Sequence, residues 1–203
     1  MNQREIFLAT RFPVHGPAYP MQFSKDQSGE PVEGGTVRFA WDEHGLYVFA
    51  ELEDSFMVAK NPQDDQLHYR HGDVLELFVK PLNAPYKWEM YATPNGNKST
   101  LFFPSWPTEL TPEERLIRHD FRGLNVAVEK GLRGWTAKFS VPVEQLMALG
   151  AGWGDGTEWT VFCGRYNYNN DELKDPEFSM APALSAADYH LTNEYARLVL
   201  CEA

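Results

Sequence analysis

The stretch TVRFAWDEHGLYVFAELE, residues 36–53, decides the fold class of this chain. Apolar and polar residues alternate on both sides of residues 42–45, and a period of two is typical of a strand with one buried face. The short polar segment between the two runs ends in Gly45, a residue that tolerates positive φ in a turn. The stretch therefore predicts a β-hairpin.

The same alternation recurs along the chain and predicts about nine strands in all. Beyond the first hairpin, the runs lie at residues 73–80, 86–93, 98–103, 124–130, 134–141, 157–169 and 195–201. The segment VEQLMALG, residues 143–150, follows Pro142 and predicts the one short helix. The connections are too short for parallel crossovers. We therefore expect one all-β domain over residues 1–203, an antiparallel β-sandwich of jelly-roll or immunoglobulin-like type.

Composition narrows the classes of partner. The chain has 203 residues, 43% of them hydrophobic, and its 18 basic against 29 acidic side chains give a formal charge of −11. Such a charge repels nucleic acids and anionic membrane surfaces, so neither is expected as a partner. No apolar segment approaches the roughly 20 residues of a membrane helix. The start MNQREIFLAT lacks the pattern of a signal peptide, which leaves the compartment open, including secretion after removal of a leader.

Glu76 is the most conspicuous polar residue of a predicted strand. In DVLELFVK, residues 73–80, it shares a face with Val74 and Phe78. A carboxylate among apolar neighbours needs a partner or a ligand. Two interpretations follow: Glu76 contacts a ligand, or it forms an ion pair with a buried arginine such as Arg165.

Four blocks of sequence, taken together and in order, resemble carbohydrate-binding module family 9 and the wider group of family 9-like domains. That group shares a sandwich fold with the DOMON domains, which bind sugars or haem. The blocks are FAWDEHGLYVFAELEDSFM (39–57), HGDVLELFVKP (71–81), GWTAKFSVPVEQL (134–146) and FSMAPALSAADYHLTNEYARLVL (178–200). No single block is specific, but together they span most of the chain.

The resemblance implies non-catalytic binding of a saccharide or a chain end, held between aromatic side chains and against the strand that carries Glu76. It also implies a link to carbohydrate catabolism, with a glycoside hydrolase as partner of a monomeric module. Two positions depart from the family pattern. Tyr69 stands near the position of a tryptophan before the second block, and Phe178 replaces the tryptophan that opens the fourth.

Aromatic faces cover the apolar side of a sugar ring, while charged and amide groups bond its hydroxyls. On this basis the candidate carbohydrate-binding residues are Glu76, Asp73, Tyr69, Arg70, Phe178, Trp106, Asn97, Asn167 and Asn169. Trp106 is included because prolines flank its loop and would display the indole. Trp41 and Trp135 lie within apolar patterns and are expected in the core.

Two other functional classes stay open at this stage. A glycoside hydrolase needs two carboxylates roughly 5 to 10 Å apart across a cleft. Asp73 and Glu76 lie three residues apart on one strand and point to opposite faces, so no catalytic residue is assigned. A haem-binding electron-transfer domain of the DOMON type would need axial ligands such as Met57 or Met90 with His190.

Metals and disulfides receive little support from the sequence. Two cysteines, Cys163 and Cys201, are expected to be free thiols. Acidic and amide side chains near residue 60 could bind structural calcium, although their spacing is not that of an EF-hand: Asp54, Asn61, Asp64 and Asp65. We therefore expect no cofactor and no metal, with structural calcium as the alternative.

Overall fold

The computed structural model describes residues 4–118 and 124–202, and within them twelve strands form one sheet. All nine predicted strands are present, and three short ones were not predicted: β1, β2 and β11. The strands are β1 (Ile6–Arg11), β2 (Tyr19–Pro20), β3 (Gly35–Trp41), β4 (Gly45–Glu53), β5 (Val74–Pro81), β6 (Lys87–Ala92), β7 (Lys98–Phe103), β8 (Asn125–Gly131), β9 (Gly134–Pro142), β10 (Glu158–Asn167), β11 (Glu177–Ala181) and β12 (Ala196–Cys201).

The strand order is β7-β6-β5-β10-β12-β1-β3-β4-β9-β8, with β11 beside β10 and β2 beside β3. The prediction of a wholly antiparallel sandwich is wrong at the centre of this order, because β1 runs parallel to both β12 and β3. The hydrogen bonds also continue through one sheet, which nearly closes into a barrel, instead of dividing into two. The all-β class is confirmed.

The main core lies between the two halves of this curled sheet. Leu77 of β5 and Met90 of β6 belong to the same buried cluster as Phe39 of β3 and Phe139 of β9. The cluster also contains Trp41 and Trp135, which are 3% and 2% exposed. Both tryptophans are therefore core residues, as predicted. The two halves of the sheet therefore share one buried core.

Two helices, not one, are present among the described residues. Helix α2 (Val143–Met147) lies at the predicted place, but α1 (Pro112–Arg118) was not predicted. Thr111 and Glu114 form a capping box at its start: the Thr111 backbone N–H donates to Glu114, and the Glu114 N–H donates to the Thr111 hydroxyl. With 7 and 5 residues, neither helix reaches the length of a membrane span.

Gly45 is needed in the first hairpin for a different reason from the predicted one. The residue does not adopt positive φ. A Cβ atom at this position would instead lie 2.2 Å from the carbonyl oxygen of Val141 on the neighbouring strand β9. Close approach of two strands, not turn geometry, therefore requires glycine here.

Candidate functional site

The candidate site lies on the outward face of β5, β6, β7 and β10. Leu75 and Leu77 lie on the strand face opposite to Glu76, as predicted, and the structure shows that they enter the core while Glu76 points outward. Glu76 pairs across the sheet with Tyr91 of β6 on one side and with Gly164 of β10 on the other. This register places Glu76 in the floor of a pocket of about 340 Å³.

Glu76 has no partner in that floor. Its side chain is 3% exposed, and its Oε1 atom is buried without a hydrogen bond to any described residue. Burial, reinforced by the nearby Glu89 carboxylate, raises the pKa of Glu76 well above its ordinary value. In the neutral form this carboxyl can both donate and accept a hydrogen bond.

A second carboxylate of the floor, Glu89, has hydrogen-bond partners on both of its oxygens. It accepts a hydrogen bond from the Lys87 ammonium at 2.8 Å and another from the Tyr91 hydroxyl at 3.0 Å. The Nζ atom of Lys87 also lies 2.8 Å from His190 Nδ1 and 3.4 Å from the Tyr195 hydroxyl. Three acceptors thus surround the three donors of a buried ammonium.

His190 forms the rim of the pocket above Lys87. Burial, with Lys87 and then Arg115 nearby, lowers the pKa of His190 to about 3. The imidazole is therefore neutral near pH 7, and its Nδ1 accepts the hydrogen bond from Lys87. Trp106 stacks on the His190 ring with a centroid distance of 4.1 Å. The indole is 39% exposed, so it extends the aromatic rim into solvent.

Tyrosines line the other end of the pocket. The rings of Tyr69 and Tyr166 stack at 5.6 Å, and Tyr166 also contacts Phe178 at 4.8 Å. Because Tyr166 packs against both rings, Tyr69 and Phe178 do not stand as two facing walls around open space. Phe178 lies behind Tyr166, and Tyr69 and Tyr166 line the pocket.

Tyr189 covers the pocket above β10, and its ring can lie there because Gly164 has no side chain. A Cβ atom at Gly164 would lie 2.4 Å from the Tyr189 ring. The Tyr189 hydroxyl donates to the carbonyl oxygen of Arg165 at 2.7 Å, which fixes the ring over the strand. Glycine therefore allows the aromatic cover to sit directly on the sheet beside Glu76.

Arg115 reaches the pocket from helix α1. Its guanidinium lies over the Phe103 ring at 4.3 Å, and the side chain is 8% exposed. The Nε atom is buried without a hydrogen-bond partner among the described residues. The pocket therefore contains two buried polar groups with unused hydrogen-bonding capacity: the Glu76 carboxyl from the sheet and the Arg115 guanidinium from the helix.

Among the predicted residues, the structure places Tyr69 and Glu76 in the pocket and Trp106, Phe178 and Arg70 beside it. Arg70 pairs with Glu113 at 2.6 Å and lies over the Tyr69 ring at 5.7 Å. It supports the tyrosine from outside and does not line the cavity.

The remaining four predicted residues lie away from the pocket. Asp73 accepts hydrogen bonds from the backbone N–H groups of Val58 and Tyr168, both at 2.6 Å, and burial raises its pKa to about 7. Asn97 donates to the carbonyl oxygen of Pro62 in a turn. Asn167 is buried and bonded to Arg165, while Asn169 is exposed in the loop after β10.

The alternative partner for Glu76 is excluded by the structure. Arg165 points into the opposite side of the sheet and pairs with Asp54 at 3.2 Å, with both side chains fully buried. Glu76 on β5 neighbours Gly164, whereas Arg165 neighbours Leu75. The strand alternation thus separates the two residues.

Several residues suggested for haem or calcium have other contacts in the structure. Met90 is buried in the main core, on the face of β6 opposite to Lys87 and His190, and Met57 packs against the same core. Asp54 is committed to Arg165, and Asp64 accepts a hydrogen bond from the Lys98 backbone. Among residues 4–118 and 124–202, no three His, Cys, Asp or Glu side chains are grouped to hold a metal ion.

Most of the polar pocket was missed by the sequence analysis, although part of it was accessible. In YKWEMYAT, Lys87, Glu89 and Tyr91 alternate with Trp88 and Met90, the same signal that singled out Glu76. Arg115 and His190 gave no such signal, because a short helix and a loop bring them to the pocket.

A larger and more open groove of about 730 Å³ lies elsewhere, around Glu51–Glu53 and Arg133–Thr136. Among the residues that the structure describes, no buried polar atom without a partner lines this groove. We therefore place the candidate site at the smaller pocket around Glu76, which is a cavity lined by buried polar groups without partners.

The fold and the pocket together define the class: a curled all-β protein with an aromatic-lined polar pocket on its outer sheet face. No protein-family model matches the sequence, and no curated protein sequence matches it significantly. Solved structures do share the fold. A Bacteroides uniformis protein to which carbohydrate binding is ascribed aligns with a TM-score of 0.71 and 13% identity, over 97% of each chain.

Family 9 carbohydrate-binding modules share it as well, as the sequence resemblance predicted. A module from Caldicellulosiruptor kristjanssonii in complex with cellotriose aligns with a TM-score of 0.64 and 12% identity, over 98% of this chain and 95% of that one. The module from the same organism in complex with glucose gives 0.63 and 13%, over 98% and 97%. The fold of this chain is thus that of family 9 modules.

Proposed function

We propose that this protein binds a saccharide in the pocket around Glu76 and catalyses no reaction. The observation that carries this proposal is the buried, unpartnered carboxyl of Glu76 in a cavity lined by tyrosines. The solved relatives that hold cellotriose and glucose support the same ligand class. A buried polar group without a partner is costly, and a ligand hydroxyl would remove that cost.

The chemistry of the pocket suits a hydroxylated ring. Neutral Glu76 offers one donor and one acceptor, and the oxygens of Glu89 retain acceptor capacity beyond their bonds to Lys87 and Tyr91. Tyr69 and Tyr166 supply apolar ring faces at the opening. Together these groups would bond sugar hydroxyls and cover the apolar side of the ring.

The arrangement of the carboxyls argues against glycoside hydrolysis. Glu76 and Glu89 rise from the adjacent strands β5 and β6 and lie in the same floor of the pocket. A hydrolase needs its acid and its nucleophile or base to flank the scissile bond. Two carboxyls beneath one side of a ligand bind hydroxyls and do not flank that bond.

The wider role follows from the same ligand class. We propose that the protein acts as a monomer in carbohydrate catabolism, beside a glycoside hydrolase that would supply the hydrolytic activity. The support is the fold shared with family 9 modules along nearly the whole chain.

Isothermal titration with glucose, xylose, cellotriose and xylotriose tests the binding proposal. We expect measurable affinity for at least one of these sugars, and a loss of roughly threefold to tenfold in Tyr69→Ala through lost aromatic contact. Glu76→Ala should weaken binding further, because the sugar loses its hydrogen bonds to the Glu76 carboxyl.

Tyr47→Ala is the matched control. Tyr47 is a partly exposed tyrosine of β4 that stacks on Phe12, on the other half of the sheet. Its removal should leave affinity unchanged. Absence of binding to any saccharide by the folded protein, or equal losses in Tyr47→Ala and Tyr69→Ala, would contradict the proposal.

A further inference from the structure

The two ends of the pocket differ in charge. Glu76 lies at the end with Tyr69 and Tyr166, whereas Arg115 lies at the end with Phe103 and His190. Lys87 sits between the rings of Phe103 and Trp106, at 4.4 and 5.4 Å from their centroids. The helix end of the pocket is therefore the cationic one.

The two cations at that end, Lys87 and Arg115, differ in their ion pairs. Lys87 is compensated by Glu89 at 2.8 Å. Arg115 forms no ion pair with any residue of 4–118 or 124–202. The neutral His190 adds no charge of either sign. The exposed Asp188 also lines the pocket, but among the described residues it forms no ion pair with Arg115, so the Arg115 guanidinium remains available to an anion in the cavity.

The surroundings of Arg115 also fix the orientation of its positive charge. Its guanidinium is held flat over Phe103, and its buried Nε has no partner. The planar guanidinium matches a carboxylate through two parallel hydrogen bonds, a geometry that a neutral hydroxyl does not use. Burial also strengthens the attraction, since water screens little inside such a cavity.

We propose that the pocket selects saccharides that carry a carboxylate, such as a hexuronate unit, with the carboxylate on Arg115 and ring hydroxyls on Glu76 and Glu89. The inference rests on the proposed saccharide binding and names the substrate class of the same site. A neutral sugar would satisfy the acidic end of the pocket and leave Arg115 unpaired. An amino sugar would place a third cation beside Arg115 and Lys87.

Calorimetric titration with matched pairs of sugars tests this selectivity in the unmodified protein. D-glucuronate is compared with D-glucose, and D-galacturonate with D-galactose, with D-glucosamine as the cationic probe. We expect at least one uronate to bind tenfold or more tightly than its neutral counterpart, and glucosamine to bind more weakly than glucose. Because this comparison needs no substitution, it does not depend on the folding of any variant.

Substitution of Arg115 assigns the selectivity to one residue. Arg115→Met keeps an apolar stem over Phe103 and should reduce uronate affinity about tenfold while glucose affinity stays within twofold. Arg115→Lys retains the positive charge but not the planar guanidinium. Its affinity for the uronate should lie between those of the original protein and Arg115→Met. The control is Arg38→Met on β3, which lies on the other half of the sheet and should change neither affinity.

Equal affinity for uronate and neutral sugar, tighter binding of glucosamine, or an unchanged preference in folded Arg115→Met would each overturn the inference while leaving saccharide binding intact. Failure of every sugar in the panel to bind would overturn the binding function itself. The two failures are thus distinguishable in one set of titrations.

Discussion

The surroundings of Glu76 depend partly on its own strand and partly on the strands beside it. The alternation of its strand predicts that it lies on the face opposite to Leu75 and Leu77, and it does. The sequence could not specify that the adjacent strand would bring Glu89 beside it, nor that Arg165 would turn to Asp54 on the opposite face. Both facts depend on strand register, which pairs residues far apart in the chain.

The raised pKa of Glu76 has a consequence for stability. Below the ordinary glutamate pKa, native and unfolded chains both hold the proton. As pH rises, the unfolded chain releases its proton first, so the stability that the neutral carboxyl contributes is lost progressively until the native carboxyl also ionises. Glu76→Gln removes this loss, since glutamine resembles the protonated form.

We therefore expect the free energy of unfolding of Glu76→Gln to match that of the original protein near pH 4 and to exceed it increasingly toward pH 8. Urea unfolding at several pH values measures the difference. Glu144→Gln, at an exposed glutamate of helix α2, should show no such trend. A difference that stays constant with pH would show that Glu76 is ionised in the native protein.

Helix α1 shows how an element can escape a sequence analysis based on periodicity. Its seven residues are too few for an amphipathic pattern, and it stands between a proline-rich loop and β8. Its start, however, has the Thr-x-x-Glu signature of a capping box at Thr111 and Glu114. That local signal predicts the helix but not its docking beside Phe103, which brings Arg115 to the pocket.

Thr111→Ala tests the contribution of this cap. Loss of the cap should destabilise α1 by about 1 kcal/mol and speed amide hydrogen exchange of residues 113–118 about fivefold. Exchange in β5 and β6 should not change. The comparison is Thr108→Ala, whose hydroxyl accepts only the Leu110 N–H in the preceding turn. Equal protection of α1 in both variants would mean that packing alone, and not the cap, holds the helix.

At the scale of the whole molecule, β1 joins the two halves of the sheet. Ala9 pairs with Leu200 of β12 on one side and with Phe39 of β3 on the other, and it is fully buried. The core cluster also includes residues of both halves. The halves should therefore unfold together in one cooperative transition.

Ala9→Pro removes a backbone N–H from the centre of the sheet and introduces a ring that the neighbouring strands cannot accommodate. We expect a loss on the order of 3 kcal/mol or more, with far- and near-ultraviolet circular dichroism reporting the same urea midpoint. Ala9→Ser, which keeps the N–H, should cost less. Two separate transitions in the original protein would contradict the expectation of one cooperative transition.

Patterns along the sequence were enough to predict the all-β class, nine strands, the separation of Glu76 from Leu75 and Leu77 on opposite strand faces, and the burial of Trp41 and Trp135. Each of these depends on a period of two along one segment, so local pattern suffices. Three features could be seen only in the folded structure. Strand β1 is parallel to both of its neighbours, Tyr166 separates Tyr69 from Phe178, and Arg115 and His190 lie in the same pocket close to Lys87. These contacts join segments distant in sequence, and their geometry is set by register and helix docking, which no local pattern records.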